Sequence, residues 1–116
     1  MIVGSLLKTN VNIGASPNNI GTLTLARVYR VFISNPNSTA RTLRFYDRAT
    51  SPTVGSYAPL KVFIVPANST VIFSDYDHCI VNSLLKLWVA ATDGGLDTDT
   101  TFTGSNLRVD IDYQLD

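Results

Sequence analysis

The chain has 116 residues, 45% of them hydrophobic, and its nine Lys and Arg are balanced by nine Asp for zero formal charge. That length is one domain with room for its own core, and the balance excludes a disordered chain and a strongly basic nucleic-acid binder. There is no Glu and only one Gln, while Thr, Ser and Asn are abundant, which suits strands joined by polar turns better than helices.

A single cysteine, Cys79, excludes an intrachain disulfide. The stretch MIVGSLLKTNVNIG has neither a basic head nor a sustained apolar run, so no signal peptide is expected. No apolar run nears the ~20 residues of a membrane-spanning helix. Charge is uneven along the chain: residues 1–61 sum to +6 and residues 62–116 to −6. Such halves suit docking by complementary charge, unless folding interleaves them.

Residues 1–19 read as an N-terminal arm, with Asn10 to Asn19 a loop of turn formers. Ile20 to Ala26 alternates Leu23 and Leu25 with Thr22 and Thr24, the period of a strand with one buried face. Arg27 to Ser34 is a second strand, with Tyr29, Val31 and Ile33 on one face and Val28, Arg30 and Phe32 on the other. Bulk on both faces predicts a central or covered strand. After the turn Asn35-Pro36-Asn37-Ser38, Thr39 to Tyr46 points Leu43 and Phe45 to the core. It leaves Arg41 at an open end and Thr42, Arg44 and Tyr46 on a more exposed face.

Asp47 to Pro59 is a long loop, and loops of that length are often functional. Leu60 to Val65 and Val71 to Phe73 read as a hairpin, with Pro66 at the strand end. Leu84 to Ala91 reads as a strand with Leu85, Leu87 and Val89 on one face and Lys86, Trp88 and Ala90 on the other. Asp93 to Ser105 is an acidic, Gly- and Thr-rich loop with room for a short strand at 100–103. Leu107 to Leu115 alternates Leu107, Val109, Ile111, Tyr113 and Leu115 inward with Arg108, Asp110, Asp112 and Gln114 outward. Seven to eight short strands so spaced make an all-β, antiparallel β-sandwich, jelly-roll or Ig-like, over the single domain 1–116.

No residue set reads as catalytic: His78 is the one histidine, and no Ser or Cys sits in a nucleophile signature. Asp75, Asp77, His78 and Cys79 lack paired zinc spacing. Asp93, Asp97 and Asp99 around Gly94-Gly95 are a better oxygen cluster for calcium, without the EF-hand spacing or its bidentate Glu. No metal or cofactor is therefore expected, and the chain does not read as an enzyme. Asn37-Ser38-Thr39 and Asn68-Ser69-Thr70 match the glycosylation pattern but read as turns. Arg27, Arg30, Arg41, Arg44 and Arg48, with Tyr46 and Tyr57, are the candidate interface, since Arg and aromatics are enriched where proteins meet. Trp88 with Tyr57 or Tyr76 could instead stack on a sugar.

The order Val31-Phe32-Ile33-Ser34-Asn35, Arg41-Thr42-Leu43-Arg44-Phe45-Tyr46-Asp47, a Ser/Gly loop, Pro59-Leu60-Lys61-Val62 and Val65-Pro66-Ala67-Asn68-Ser69-Thr70-Val71 resembles the small sandwich proteins of tailed phages. These sit on virions as capsid decoration (cement) proteins, head fibres or tail parts. The resemblance implies a virion protein of the capsid surface, made in the host cytoplasm. Its partner would be the major capsid protein, it would form a homotrimer, and it would contact neither nucleic acid nor membrane. It implies no catalytic residues. The other reading is a carbohydrate- or receptor-binding module on a fibre or tail.

Overall fold

The computed structural model describes residues 6–14, 18–24, 26–97 and 99–115. Among them there is no helix, and nine strands form: β1 (Leu7–Ile13), β2 (Asn18–Thr24), β3 (Ala26–Asn35), β4 (Arg41–Arg48), β5 (Lys61–Val65), β6 (Ser69–Ser74), β7 (Val81–Asn82), β8 (Lys86–Thr92) and β9 (Leu107–Leu115). One sheet has the order β1-β9-β3-β6, with β7 also on β3, and the other β2-β8-β4-β5. Every pairing is antiparallel. The chain changes sheet at nearly every connection, and this strand order is that of a jelly roll rather than an Ig-like sandwich.

Between the sheets lie Leu43 and Phe45 of β4, Phe63 and Val65 of β5, Leu87, Val89 and Ala91 of β8, and Leu107, Val109, Ile111 and Tyr113 of β9. Phe63 meets Phe45 edge-on at 5.8 Å and Phe73 at 4.6 Å, so β5 and β6 are joined across the gap by aromatic contact.

Several local expectations are corrected. The segment read as a loop from Asn10 continues as β1 to Ile13, in register with β9 from Leu7↔Tyr113 to Ile13↔Leu107. Val11 and Ile13 pack on the core while Asn10 and Asn12 face solvent. Alternation there outweighs the turn-forming propensity of Asn. Residues 1–5 and 15–17, and the side chains of 18–25 on which an alternation was predicted, lie outside the described residues.

In β3 the faces are reassigned. The register with β9 shifts between Val28 and Arg30, and this irregularity sends Val28, Val31 and Ile33 into the cluster between the sheets and leaves Tyr29 outside that cluster, though 1% exposed. β8 starts at Lys86, leaving Leu84 and Leu85 68% and 46% exposed. Residues 100–103 form no strand. On β9, Asp112 and Gln114 face outward as expected yet are buried.

Candidate functional site

The outer face of β4 carries Thr42, Arg44, Tyr46 and Arg48 at the strand's period of two. This face was expected to be exposed, but Thr42 is 2% exposed, and Arg44 and Tyr46 are fully buried. The cause at Arg44 is the loop 93–97, which folds over the sheet. Arg44 donates from Nη1 to the Asp97 carbonyl at 3.1 Å, and from Nη2 to the carbonyls of Gly94, at 3.2 Å, and Leu96.

The loop is curled to present those carbonyls. The Asp99 carboxylate accepts from the Gly94 N–H at 2.6 Å, the Thr101 N–H at 2.9 Å and the Thr101 hydroxyl at 2.7 Å. The Thr101 N–H, then its hydroxyl, hold the Asp99 carboxyl below its ordinary pKa.

At one end of the sandwich the polar residues tie three connections together. Asn35, 1% exposed, donates to the carbonyls of Thr39, Val65 and Pro66 and accepts from the N–H and side-chain amide of Asn37. Asn37 in turn holds Ser105 by both backbone groups at 2.8 Å. Its own carbonyl accepts from the N–H of Asn68. Gly104 has φ +86°, and a Cβ there would stand 2.2 Å from Asn37 Oδ1, so only glycine lets the loop pass. Arg41 donates to the Thr103 carbonyl at 2.8 Å and pairs with Asp93 at 3.1 Å.

At the opposite end of β4, Asp47 accepts from the N–H groups of Leu84 and Leu85 at 3.0 and 2.7 Å. Arg48 lies 3.5 Å from the centre of the Tyr57 ring, and its carbonyl accepts from the Trp88 indole N–H at 2.9 Å. Trp88 is half-buried on the outer face opposite Tyr46. The hydroxyl of Tyr46 and the Nε atoms of Arg44 and Arg48 are buried without a hydrogen-bond partner.

The candidate interface residues therefore do not share one surface. Arg27 and Arg30 are on β3 in the other sheet. Arg30 lies 3.8 Å from Asp112, which Lys8 approaches at 3.4 Å, beside a shallow depression of about 310 Å³. Arg41 and Arg44 are internal braces, and Tyr46 is fully buried. Arg48 and Tyr57 remain together and partly exposed. The ion pairs Arg41–Asp93, Lys8–Asp112 and Arg30–Asp112 join the basic and acidic halves of the chain, so folding interleaves the charge.

The His78 side chain is 85% exposed on a turn, 3.8 Å from Asp75. The Asp75 carboxylate is occupied by the N–H groups of His78 and Asp77, which hold it below its ordinary pKa. Cys79 has φ +61°, and burial pushes its thiol up. The carboxylates of Asp93 and Asp99 are engaged in their own loop, and among the described residues no group of three His, Cys, Asp or Glu is placed to hold a metal. Of the proposed sugar-stacking residues, Trp88 and Tyr57 meet at Arg48, while Tyr76 is on the turn after β6.

Sequence reasoning missed Asn35, Asn37 and Asp47, which read as ordinary turn and strand-end residues. It also missed the apolar row Leu60, Val62 and Ile64 on the outer side of β5, although the run LKVFIV, polar only at Lys61, was its signal. Beside β5 a mainly polar groove of about 550 Å³ opens, lined by Lys61, Ser74 and Asp75 as well as Phe63, Phe73 and Ile80. No family model, curated protein or solved structure matches the chain.

Proposed function

We propose that the chain is a structural protein of a tailed-phage virion, a decoration protein that binds the assembled head and stabilises it. One observation carries this reading. A few polar side chains, Asn35, Asn37, Arg41 and Arg44, are buried where they brace loops, while large apolar side chains stand exposed outside the apolar core: Ile64 is 62%, Ile72 57% and Leu96 74% exposed. A surface of that kind suits burial against a partner. A jelly roll is a frequent choice for capsid modules, which is support by analogy of fold alone. A protein that binds the assembled shell and not its free subunits stabilises the shell by mass action. The test is co-sedimentation with assembled heads and with unassembled capsid subunits. Retention on heads alone, and heads that resist heat better when decorated, is expected; absence from heads overturns the proposal.

The convergence of Trp88, Tyr57 and Arg48 favours a second reading, a glycan-binding module on a fibre or tail. An array of glycans tests it. Binding abolished by Tyr57→Ala supports it, and an empty array removes it.

A further inference from the structure

β5 is the last strand of its sheet, and among the described residues nothing pairs with its outer edge. Open edges invite another strand, and proteins usually blunt them with charge, proline or a bulge. The edge strand β1 carries exposed Lys8, Asn10 and Asn12, and β6 exposes Thr70 and Ser74 on either side of Ile72. β5 is less protected, its one charge being the exposed Lys61 at its first position. Its register with β4 runs unbroken from Phe45↔Lys61 to Arg41↔Val65, and Pro66 comes only after its end. Val62 and Ile64 point outward, and Leu60, just before the strand, is 46% exposed. The loop over β4 comes close to this row at Gly95, where a Cβ would stand 4.0 Å from Ile64 Cδ1.

We propose that β5 pairs antiparallel with β5 of a second copy, about a twofold axis at Phe63, joining two sheets into one. In that register Val62 of each copy faces Ile64 of the other, an apolar cross-strand pair made twice. Lys61, the only charge on the strand, faces Val65, so no like charges oppose. The same register brings Lys61 of each copy to the Val65 end of the other, where the neighbouring Arg41 on β4 is already paired with Asp93. Such a seam is self-complementary and closes at two copies, not at the three that the phage resemblance implied.

The experiment is sedimentation equilibrium of the chain alone, without capsids, so it does not depend on the proposed function. A mass of twice 12.6 kDa is expected at micromolar concentration. Ile64→Lys changes an exposed side chain; with its circular dichroism unchanged, it should weaken association at least about tenfold. In a Cys79→Ser background, the double variant Val62→Cys/Ile64→Cys should cross-link between copies on mild oxidation. Ile64→Cys alone should not, because Ile64 does not face itself. A monomer, a trimer, a dimer indifferent to Ile64→Lys, or equal cross-linking by Ile64→Cys alone would each overturn the proposal.

Discussion

The carboxylate of Asp93 lies 3.1 Å from Nε of Arg41, a pair that bridges 52 residues of sequence and is 28% and 7% exposed at its two side chains. Asp93 also accepts from the N–H and hydroxyl of Thr103. The pair thus closes the loop after β8 onto the start of β4. An Arg41→Met/Asp93→Asn double-mutant cycle should return a coupling of about 1 kcal/mol, at the upper end of what partly exposed pairs give. Thermal or urea denaturation of the four proteins reads it; a coupling of zero would mean that the carbonyl bonds of Arg41 hold the loop without Asp93.

Asn37 should matter more than its place in a surface turn suggests. Asn37→Ala leaves both backbone groups of Ser105 and the side-chain oxygen of Asn35 short of a partner. The expected loss is about 2–3 kcal/mol, from one small change near the surface. Denaturant melts check it, and a loss under about 0.5 kcal/mol would show that water replaces the lost partners.

Arg44 is a guanidinium held under a loop by carbonyl oxygens. Arg44→Met keeps much of the side-chain volume but strands the Asp97 carbonyl and leaves those of Gly94 and Leu96 to the Thr92 hydroxyl and the Asp99 N–H alone, and should cost about 2 kcal/mol. Its second signature is local: amide hydrogen exchange should rise over residues 93–99 while β9 stays protected. Unchanged exchange there would mean that Asp99 and Thr101 shape the loop by themselves.

The strands were legible wherever one face repeats at period two. Leu107 to Ile111 on β9 and Leu43 with Phe45 on β4 lie where alternation puts them. The shift between Val28 and Arg30 was not legible, because one extra residue in a strand leaves no mark on composition yet reverses every face before it. Arg44 misled for a different reason. An arginine at an outward position is ordinarily solvated, and what buries it is a loop about 50 residues away, whose path depends on Asp99 and Gly104. Asn35 and Asn37 announced a turn correctly, but their bonds to Val65 and Ser105 are long-range and invisible to a local reading.

Cys79 combines a left-handed backbone with a partly buried thiol. Cys79→Gly should match or exceed Cys79→Ala in stability, since only glycine adopts that φ without strain. Burial raises the thiol pKa, so less thiolate is present near neutral pH, and alkylation by iodoacetamide should run slower than for a free thiol. Labelling at the free-thiol rate would show that the turn around residues 75–79 opens readily.

Acid should loosen the loop over β4 in a defined window. Asp99 is held below its ordinary value of 3.8 by hydrogen bonds from Thr101 and Gly94. A carboxylate whose folded pKa is depressed adds stability that is complete above the unfolded pKa and is lost as pH falls through the folded one. Asp99→Asn should therefore lower Tm by a few degrees at neutral pH. The gap to the unaltered chain should persist down to about pH 5 and close below the ordinary carboxylate range, where both proteins carry a neutral group at this position. Asp75, depressed by the N–H groups of His78 and Asp77, acts in the same direction, so both proteins lose stability together as the gap closes. Tm measured across this range for both proteins tests the argument. A gap that stays constant to the lowest pH would assign the effect to the shape of the side chain, and not to the charge that Thr101 and Gly94 bind.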